Sequence, residues 1–418
     1  MKTFKYLLLI TVLILAWTAF VGYGTFSGSL LRPITKGSSS ASFIEATKER
    51  IENEFVGNMA MVLIENGAVS KDFFYSIDKA VNKHTVFQMA SVSKWITSWG
   101  IFALVEEGKI KIDEPIDNYL TRWHLPESNF NNQEVTVRNL LSHTSGLVDG
   151  LGYGGFVDKD SVQSIEESLT KASDGFWSEG VAKVGNSPNS QYRYSGAGYT
   201  ILQLIIEEVS GQLFEEYMAE AVFKPLKMAH STFNWSDSLG SDLVTFYDSD
   251  STIAPHYRYT ALAAASLYTC TEDLSLFLKA NFAHNSVLRP ETIATMNKIH
   301  TAANQNTHGL GPMIFGRNDS GDFIVGHDGG NRPAINTAAR INLKSKDGII
   351  ILETGNPGFA TKLGDEWIFW KTGIADYVVI QRSKPFLLSL LVIGYLIIFF
   401  SSIIIIRVRN KKGLRGMN

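Results

Sequence analysis

A single cysteine, Cys270, stands in the 418 residues. One thiol excludes an internal disulfide, a cysteine-built zinc site and an iron–sulfur cluster, so hydroxyl, amine, imidazole and carboxylate groups must carry any chemistry. Proline is scarce, at 11 positions, and no Pro-rich hinge interrupts the body. Blocks of one charge are also missing from the body, yet the formal net charge of −3 hides an imbalance. Residues 1–31 hold only Lys2 and Lys5, and residues 407–418 hold five bases and no acid; setting those seven aside leaves 31 bases against 41 acids. An acidic body lacks the electrostatic attraction that supplies most nucleic-acid affinity, and that class of partner is excluded. No G-x-S-x-G is present, which argues against an α/β-hydrolase nucleophile elbow. The nine histidines show no H-E-x-x-H or similar pairing, so neither a metal nor another cofactor is expected. Gly150-Leu-Gly152-Tyr-Gly-Gly155 spells G-x-G-x-x-G without a preceding strand, and reads as a Gly-rich loop rather than a dinucleotide site.

What the chain does have is two long apolar runs. Tyr6–Val21 follows the Lys2/Lys5 head inside residues 1–31, and reads as a signal anchor or a signal peptide. Pro385–Ile406 is 22 residues without a charge, enough to cross a hydrocarbon layer of about 30 Å. Five bases follow it (Arg407, Arg409, Lys411, Lys412 and Arg415), so the tail 407–418 is expected in the cytoplasm and the body outside it.

Residues 32–45, with the spacer Gly37-Ser-Ser-Ser-Ala-Ser42, read as a linker, and 46–375 as one domain of two interlocked parts. Strand patterns occur at Met59–Glu65 and Asp72–Ile77 around the turn Asn66-Gly67, then again at Phe323–Gly326, Ile335–Asn342 and Ile349–Glu353. Helical periodicity fills Ser93–Glu107, Val137–Ser142, Tyr199–Val209, Leu213–Phe223, Glu272–Ala283 and Thr361–Lys371. Strands at both ends of a helical middle predict one sheet assembled from both ends of the domain, with helices on its faces.

Two Ser-x-x-Lys matches occur. Ser168-Leu-Thr-Lys171 lies in a polar amphipathic stretch and reads as surface. Ser91-Val-Ser-Lys94 opens the long helix, where Lys94 returns to the face of Ser91 one turn later. A serine hydroxyl needs a base within hydrogen-bond reach, and a lysine whose pKa is lowered by burial can serve; the alternative is a helix-capping serine beside a solvated lysine. A second cluster is Tyr192-Arg-Tyr194-Ser-Gly196, whose turn can project the Tyr194 phenol. A third is Gly326-His327-Asp328-Gly329-Gly330, where glycines let a ligand approach the backbone and the Gly330 N–H can face an oxyanion.

In this order and spacing the three clusters resemble the penicillin-recognising serine hydrolases: class C β-lactamases, related esterases and low-molecular-mass penicillin-binding proteins. The similarity covers roughly Phe55–Gly358. It is supported by Leu104–Leu120 (LVEEGKIKIDEPIDNYL), Val135–Leu147 (VTVRNLLSHTSGL), Phe223–Met228 (FKPLKM) and Tyr268–Phe277 (YTCTEDLSLF). The resemblance implies an α+β, β-lactamase/transpeptidase-like fold: an antiparallel sheet flanked by helices, a mainly helical subdomain, and here terminal transmembrane helices. It also implies Ser91 as nucleophile, Lys94 as its activating amine and Tyr194 as the partner phenol. His327 and Gly329 stand where many members have Lys-Thr-Gly and the esterase-like ones His-x-Gly. A protonated His327 is expected to hold a substrate carboxylate or to keep Tyr194 ionised, and to fade above pH ~6.5.

Two departures matter. The family's Tyr-x-Asn reads Tyr194-Ser195-Gly196 here, which leaves open a catalytically silent ligand-binding domain, or a scaffold that only retains the fold. Lys371-Thr372-Gly373 spells the third motif literally but falls at the end of the last helix, and reads as coincidence. The expected partners are a small-molecule or peptide substrate and the membrane. The loops Asp149–Ser161 and Asn234–Ile253 are expected to choose the substrate.

Overall fold

The computed structural model describes residues 2–149, 153–175, 179–235, 239–240, 242–300, 308–317 and 323–415. The strands are β1 (Met59–Glu65), β2 (Ala68–Tyr75), β3 (Phe87–Gln88), β4 (Tyr268–Thr269), β5 (Met313–Arg317), β6 (Phe323–Asn331), β7 (Ile335–Asn342) and β8 (Asp347–Thr354). The helices up to the middle of the chain are α1 (Lys2–Phe26), α2 (Ser40–Glu54), α3 (Val92–Glu106), α4 (Val137–Leu141), α5 (Ile165–Lys171), α6 (Gly196–Ser210) and α7 (Phe214–Met218). They are followed by α8 (Lys224–Leu226), α9 (Leu262–Ala265), α10 (Thr271–Ala280), α11 (Pro290–Met296), α12 (Phe359–Thr372) and α13 (Tyr377–Arg415).

The chain divides into two units, Ser38–Gly364 and a second formed by Met1–Gly37 with Asp365–Asn418. In the first, six strands make an antiparallel sheet in the order β2-β1-β8-β7-β6-β5. N-terminal β1 thus pairs with C-terminal β8, as the strand runs at both ends predicted. The apolar run of β1 is buried at six of seven positions, and β8 at seven of eight, because both faces of these central strands are covered. Edge strand β2 stays largely exposed. Asn66 (φ 51°) and Gly67 (φ 81°) make the hairpin turn between them, since positive φ at both turn residues matches the strand twist.

Helix α3 is the buried axis of the domain. Thirteen of its fifteen residues are buried, Trp95 and Trp99 completely. Gly100 gives it close contact with α7, for a Cβ there would stand 2.3 Å from the Met218 sulfur.

Some boundaries differ from the sequence reading. The linker reading of 32–45 is corrected at its C-terminal end: Ser39 caps α2 by accepting the Ser42 N–H, so the helix begins at Ser40. The helix read at Leu213–Phe223 is α7 followed by one π-helical turn, Ala219–Phe223. The short strands β3 and β4, and β5 with its irregular register, add to the strands expected from the sequence.

The second unit holds the two apolar helices. Stretches of 23 residues (Phe4–Phe26) and 33 residues (Tyr377–Arg409) are long and apolar enough to cross a membrane. Leu15, Ile397 and Phe400 are 63%, 60% and 58% exposed, a surface that water does not favour. The two helices pack closely at Gly394, where a Cβ would overlap the Trp17 ring, and Thr18 Oγ1 lies 2.7 Å from the Tyr395 hydroxyl. Helix α13 starts at Tyr377, eight residues before the predicted Pro385, and runs through that proline.

Candidate active site

Strand β3 turns into α3 through Ala90, whose φ of 45° is uncommon for a residue with a Cβ. Ser91 follows in helical conformation, and its hydroxyl makes no capping bond, so the cap reading of this serine fails. Instead Lys94 Nζ, one turn on, donates to Ser91 Oγ at 3.1 Å and to the Ala264 carbonyl at 2.8 Å. The amine sits over the Tyr194 and Tyr199 rings at 4.9 and 5.6 Å. Lys94 is 2% exposed, and burial pulls its pKa from 10.5 down to about 7, against the opposing pull of Asp149. A neutral amine on a serine hydroxyl is a general base at physiological pH.

Tyr194 closes the group beside Lys94 and Ser91; burial raises its pKa well above the usual range, so it is a phenol rather than a phenolate. The turn that carries it is held by a residue the sequence reading had placed only in a specificity loop. Asp149 accepts from Ser195 Oγ at 2.5 Å and from the Ala197 N–H at 2.8 Å, anchoring the first turn of α6. That turn begins at Gly196, where the Tyr-x-Asn motif has its amide.

Strand β6 forms the opposite wall. A Cβ on Gly329 would stand 2.2 Å from the Met89 carbonyl, 2.4 Å from Thr337 Oγ1 and 3.1 Å from the Ser91 N–H nitrogen, so only glycine lets the strand lie against the Ser91 turn. Gly330, next along β6, is exposed. Strand alternation puts Asp328 on the face opposite Gly329. Its carboxylate takes a forked pair of hydrogen bonds from fully buried Arg340, at 2.7 and 3.1 Å.

His327 corrects an expectation. It is buried, its Nδ1 lies 2.6 Å from the Asp328 carbonyl, and burial together with the Lys94 charge holds its pKa well below 6.5. A neutral imidazole neither grips a carboxylate by charge nor ionises Tyr194. Two further imidazoles, missed by the sequence reading, share this state. His143, from the quoted H-T-S-G, packs 4.3 Å from the Tyr194 ring and accepts the Ser195 N–H at Nδ1, which leaves its proton on Nε2. His308 faces the Tyr192 hydroxyl at 3.2 Å, and burial lowers its pKa to about 4. The motif context could have pointed to His143; nothing local marks Ala264 or His308.

The competing motifs fall away. Ser168 is buried and Lys171 exposed on α5, so they do not meet. Lys371-Thr372-Gly373 ends α12, with Gly373 at φ 71° as the stop. Of the Gly-rich run, Gly150–Gly152 lie outside the described residues, while Gly154 and Gly155 bind Asp174 through their N–H groups.

Comparison with known proteins bears on this arrangement. The model of the Beta-lactamase family matches residues 45–368. The protein called flp of Staphylococcus aureus is 24% identical over 328 residues, covering 75% of this chain and 62% of the relative's own length. Penicillin-binding protein PbpX of Bacillus subtilis is 32% identical over 178 residues, 41% of this chain and 40% of that one. Among solved structures, the octameric penicillin-binding protein homologue from Pyrococcus abyssi superposes with a TM-score of 0.65 at 24% identity, covering 80% of this chain and 77% of its own, a likeness of fold. A sheet built from both chain ends, a Ser-x-x-Lys helix start and a family match over most of the body agree: the chain belongs to the Beta-lactamase family.

Proposed function

We propose that this protein is a membrane-anchored serine hydrolase that forms an acyl-enzyme through Ser91. The observation that carries the reading is the Lys94 amine, 3.1 Å from Ser91 Oγ and held near neutrality by burial. In the proposed cycle the neutral amine takes the Ser91 proton as Oγ adds to a carbonyl, and the resulting oxyanion lies between the N–H groups of Ser91 and Gly330. The proton returns to the leaving group through the Tyr194 hydroxyl, the C–O or C–N bond breaks, and water then adds to the acyl-enzyme and releases Ser91 with the acid.

The candidate substrates are esters, D-amino-acid peptides and β-lactams, and the electrostatics favour the ester class. His143, His308 and His327 surround the Lys94/Tyr194 pair, and all three are held neutral by burial. With a neutral His327 in place of a lysine, the wall formed by β6 supplies no charge of its own to anchor a carboxylate. Gly196 in place of an amide removes a grip on the acyl-side amide of peptides and β-lactams, and favours a second reading in which the domain binds such ligands without turning them over. The two exposed apolar helices support anchoring, and the five bases after Ile406 support a cytoplasmic tail with the catalytic domain outside.

Covalent labelling tests the assignment. A fluorescent fluorophosphonate is expected to label the full-length protein and not Ser91→Ala, with a fluorescent penicillin labelling more weakly. Reversible penicillin binding without any serine-dependent adduct would establish the second reading instead.

A further inference from the structure

Strand β3 reaches Ser91 from the other end, and that end gathers two histidines and a glutamate from three distant stretches. Strand β4 pairs with β3 on one side, and Thr232 bridges Tyr268 on its other side through N–H···O bonds of 3.0 and 2.8 Å. His84 precedes β3, His230 precedes Thr232, and Glu272 follows β4 in the first turn of α10. Their donor atoms all lie within 4.8 Å of one another, and the two imidazole rings are 4.9 Å apart.

The backbone under each group is fixed. The His84 N–H donates to Asn82 Oδ1 at 2.8 Å, the His230 N–H to Asp273 Oδ2 at 2.7 Å, and the Glu272 N–H to the Lys83 carbonyl at 3.2 Å. His84 Nδ1 stands 3.1 Å from Glu272 Oε2 yet is enclosed without a hydrogen bond. Lys83 pairs with the other carboxylate oxygen, Oε1, at 2.6 Å. One carboxylate and two imidazoles therefore converge within reach of a single ion.

We infer that His84, His230 and Glu272 bind one divalent transition-metal ion, Zn²⁺ before others, which clamps the end of this small sheet. Two imidazoles and a carboxylate suit Zn²⁺ and leave one position for water, whereas Ca²⁺ asks for six to eight oxygens. Ligands at 2.0–2.2 Å in a tetrahedral site lie roughly 3.4 Å apart. The His84 and Glu272 side chains are 44% and 37% exposed and free to close that distance by side-chain rotation. The sequence reading expected no metal because it looked for local spacing, and these ligands are 146 and 42 positions apart. Of the three only His84 lies near Ser91 in sequence, seven positions before it, and the site serves stability rather than hydrolysis.

The test uses the full-length protein in detergent, without an oligohistidine tag and stripped with a chelator. Titration with Zn²⁺ against a chromogenic chelator is expected to show one equivalent bound and a raised unfolding temperature, with no such effect from Ca²⁺. His84→Ala, His230→Ala and Glu272→Gln should each weaken binding by more than about tenfold, since losing even a partner of a ligand costs about 10–100-fold. Ester turnover by the three variants should match wild type. Absence of stoichiometric Zn²⁺ binding, binding that survives in His84→Ala/His230→Ala, or equal binding of Ca²⁺ would overturn the inference. The absorption of Co²⁺ bound to the unaltered chain checks the point without any variant: an intense tetrahedral spectrum is expected, and a weak octahedral one contradicts it.

Discussion

The same four-residue pattern occurs on two helices of one domain and means different things. At the start of α3, Ser91 and Lys94 meet at 3.1 Å, and the lysine is buried until its amine titrates near neutrality. On α5, Ser168 is buried while Lys171 points to water. Helical spacing brings residues three apart onto neighbouring positions in both cases, so spacing alone does not make a nucleophile. Burial of the amine does, because desolvation disfavours its charged form.

Substitution at the two serines opens the widest gap. Ser91→Ala is expected to lower kcat for a neutral ester by between about 10⁴ and 10⁶-fold, and Ser168→Ala to leave it unchanged. Tyr194→Phe removes the proton path but not the nucleophile, and should cost about 10² to 10⁴-fold in the same assay.

The lysines differ in stability as well. A base whose folded pKa is lowered destabilises the fold by an amount that is full below about pH 7 and vanishes as pH climbs past 10.5, because between those values the unfolded chain binds the extra proton. At 1.36 kcal/mol per pH unit that cost is about 4 kcal/mol at pH 7, an upper limit on what Lys94→Met recovers. Denaturant unfolding should find Lys94→Met inactive and more stable than wild type at pH 7, and Lys171→Met within about 0.5 kcal/mol of it. The smallest expected effect is at Asp149. Its carboxylate raises the Lys94 pKa, so Asp149→Asn should move the acid limb of the pH–rate profile to lower pH.

Much of this was legible in the sequence, for physical reasons. Strand patterns such as Met59–Glu65 and Ile335–Asn342 marked strands of the large sheet, and Ser91, Lys94, Tyr194 and Gly329 come together from the three clusters. Burial was not legible. His327 looked like a replacement cation, yet in β6 it is 1% exposed and neutral. Asp149 and Ala264 reach Lys94 only through the folding of distant chain, and His84, His230 and Glu272 converge for the same reason. Residues 40–45 looked like spacer because Ser and Ala there carry little pattern, although Ser39 is a good helix cap.

The measurement that bears most directly on the central claim is the second-order rate of Ser91 labelling by a fluorophosphonate across pH 5 to 11. A lysine base held near neutrality predicts a rate that rises with pH, passes its midpoint near 7 and is level above 8. A rate that keeps climbing to a midpoint near 10, as for a solvated lysine, would contradict it.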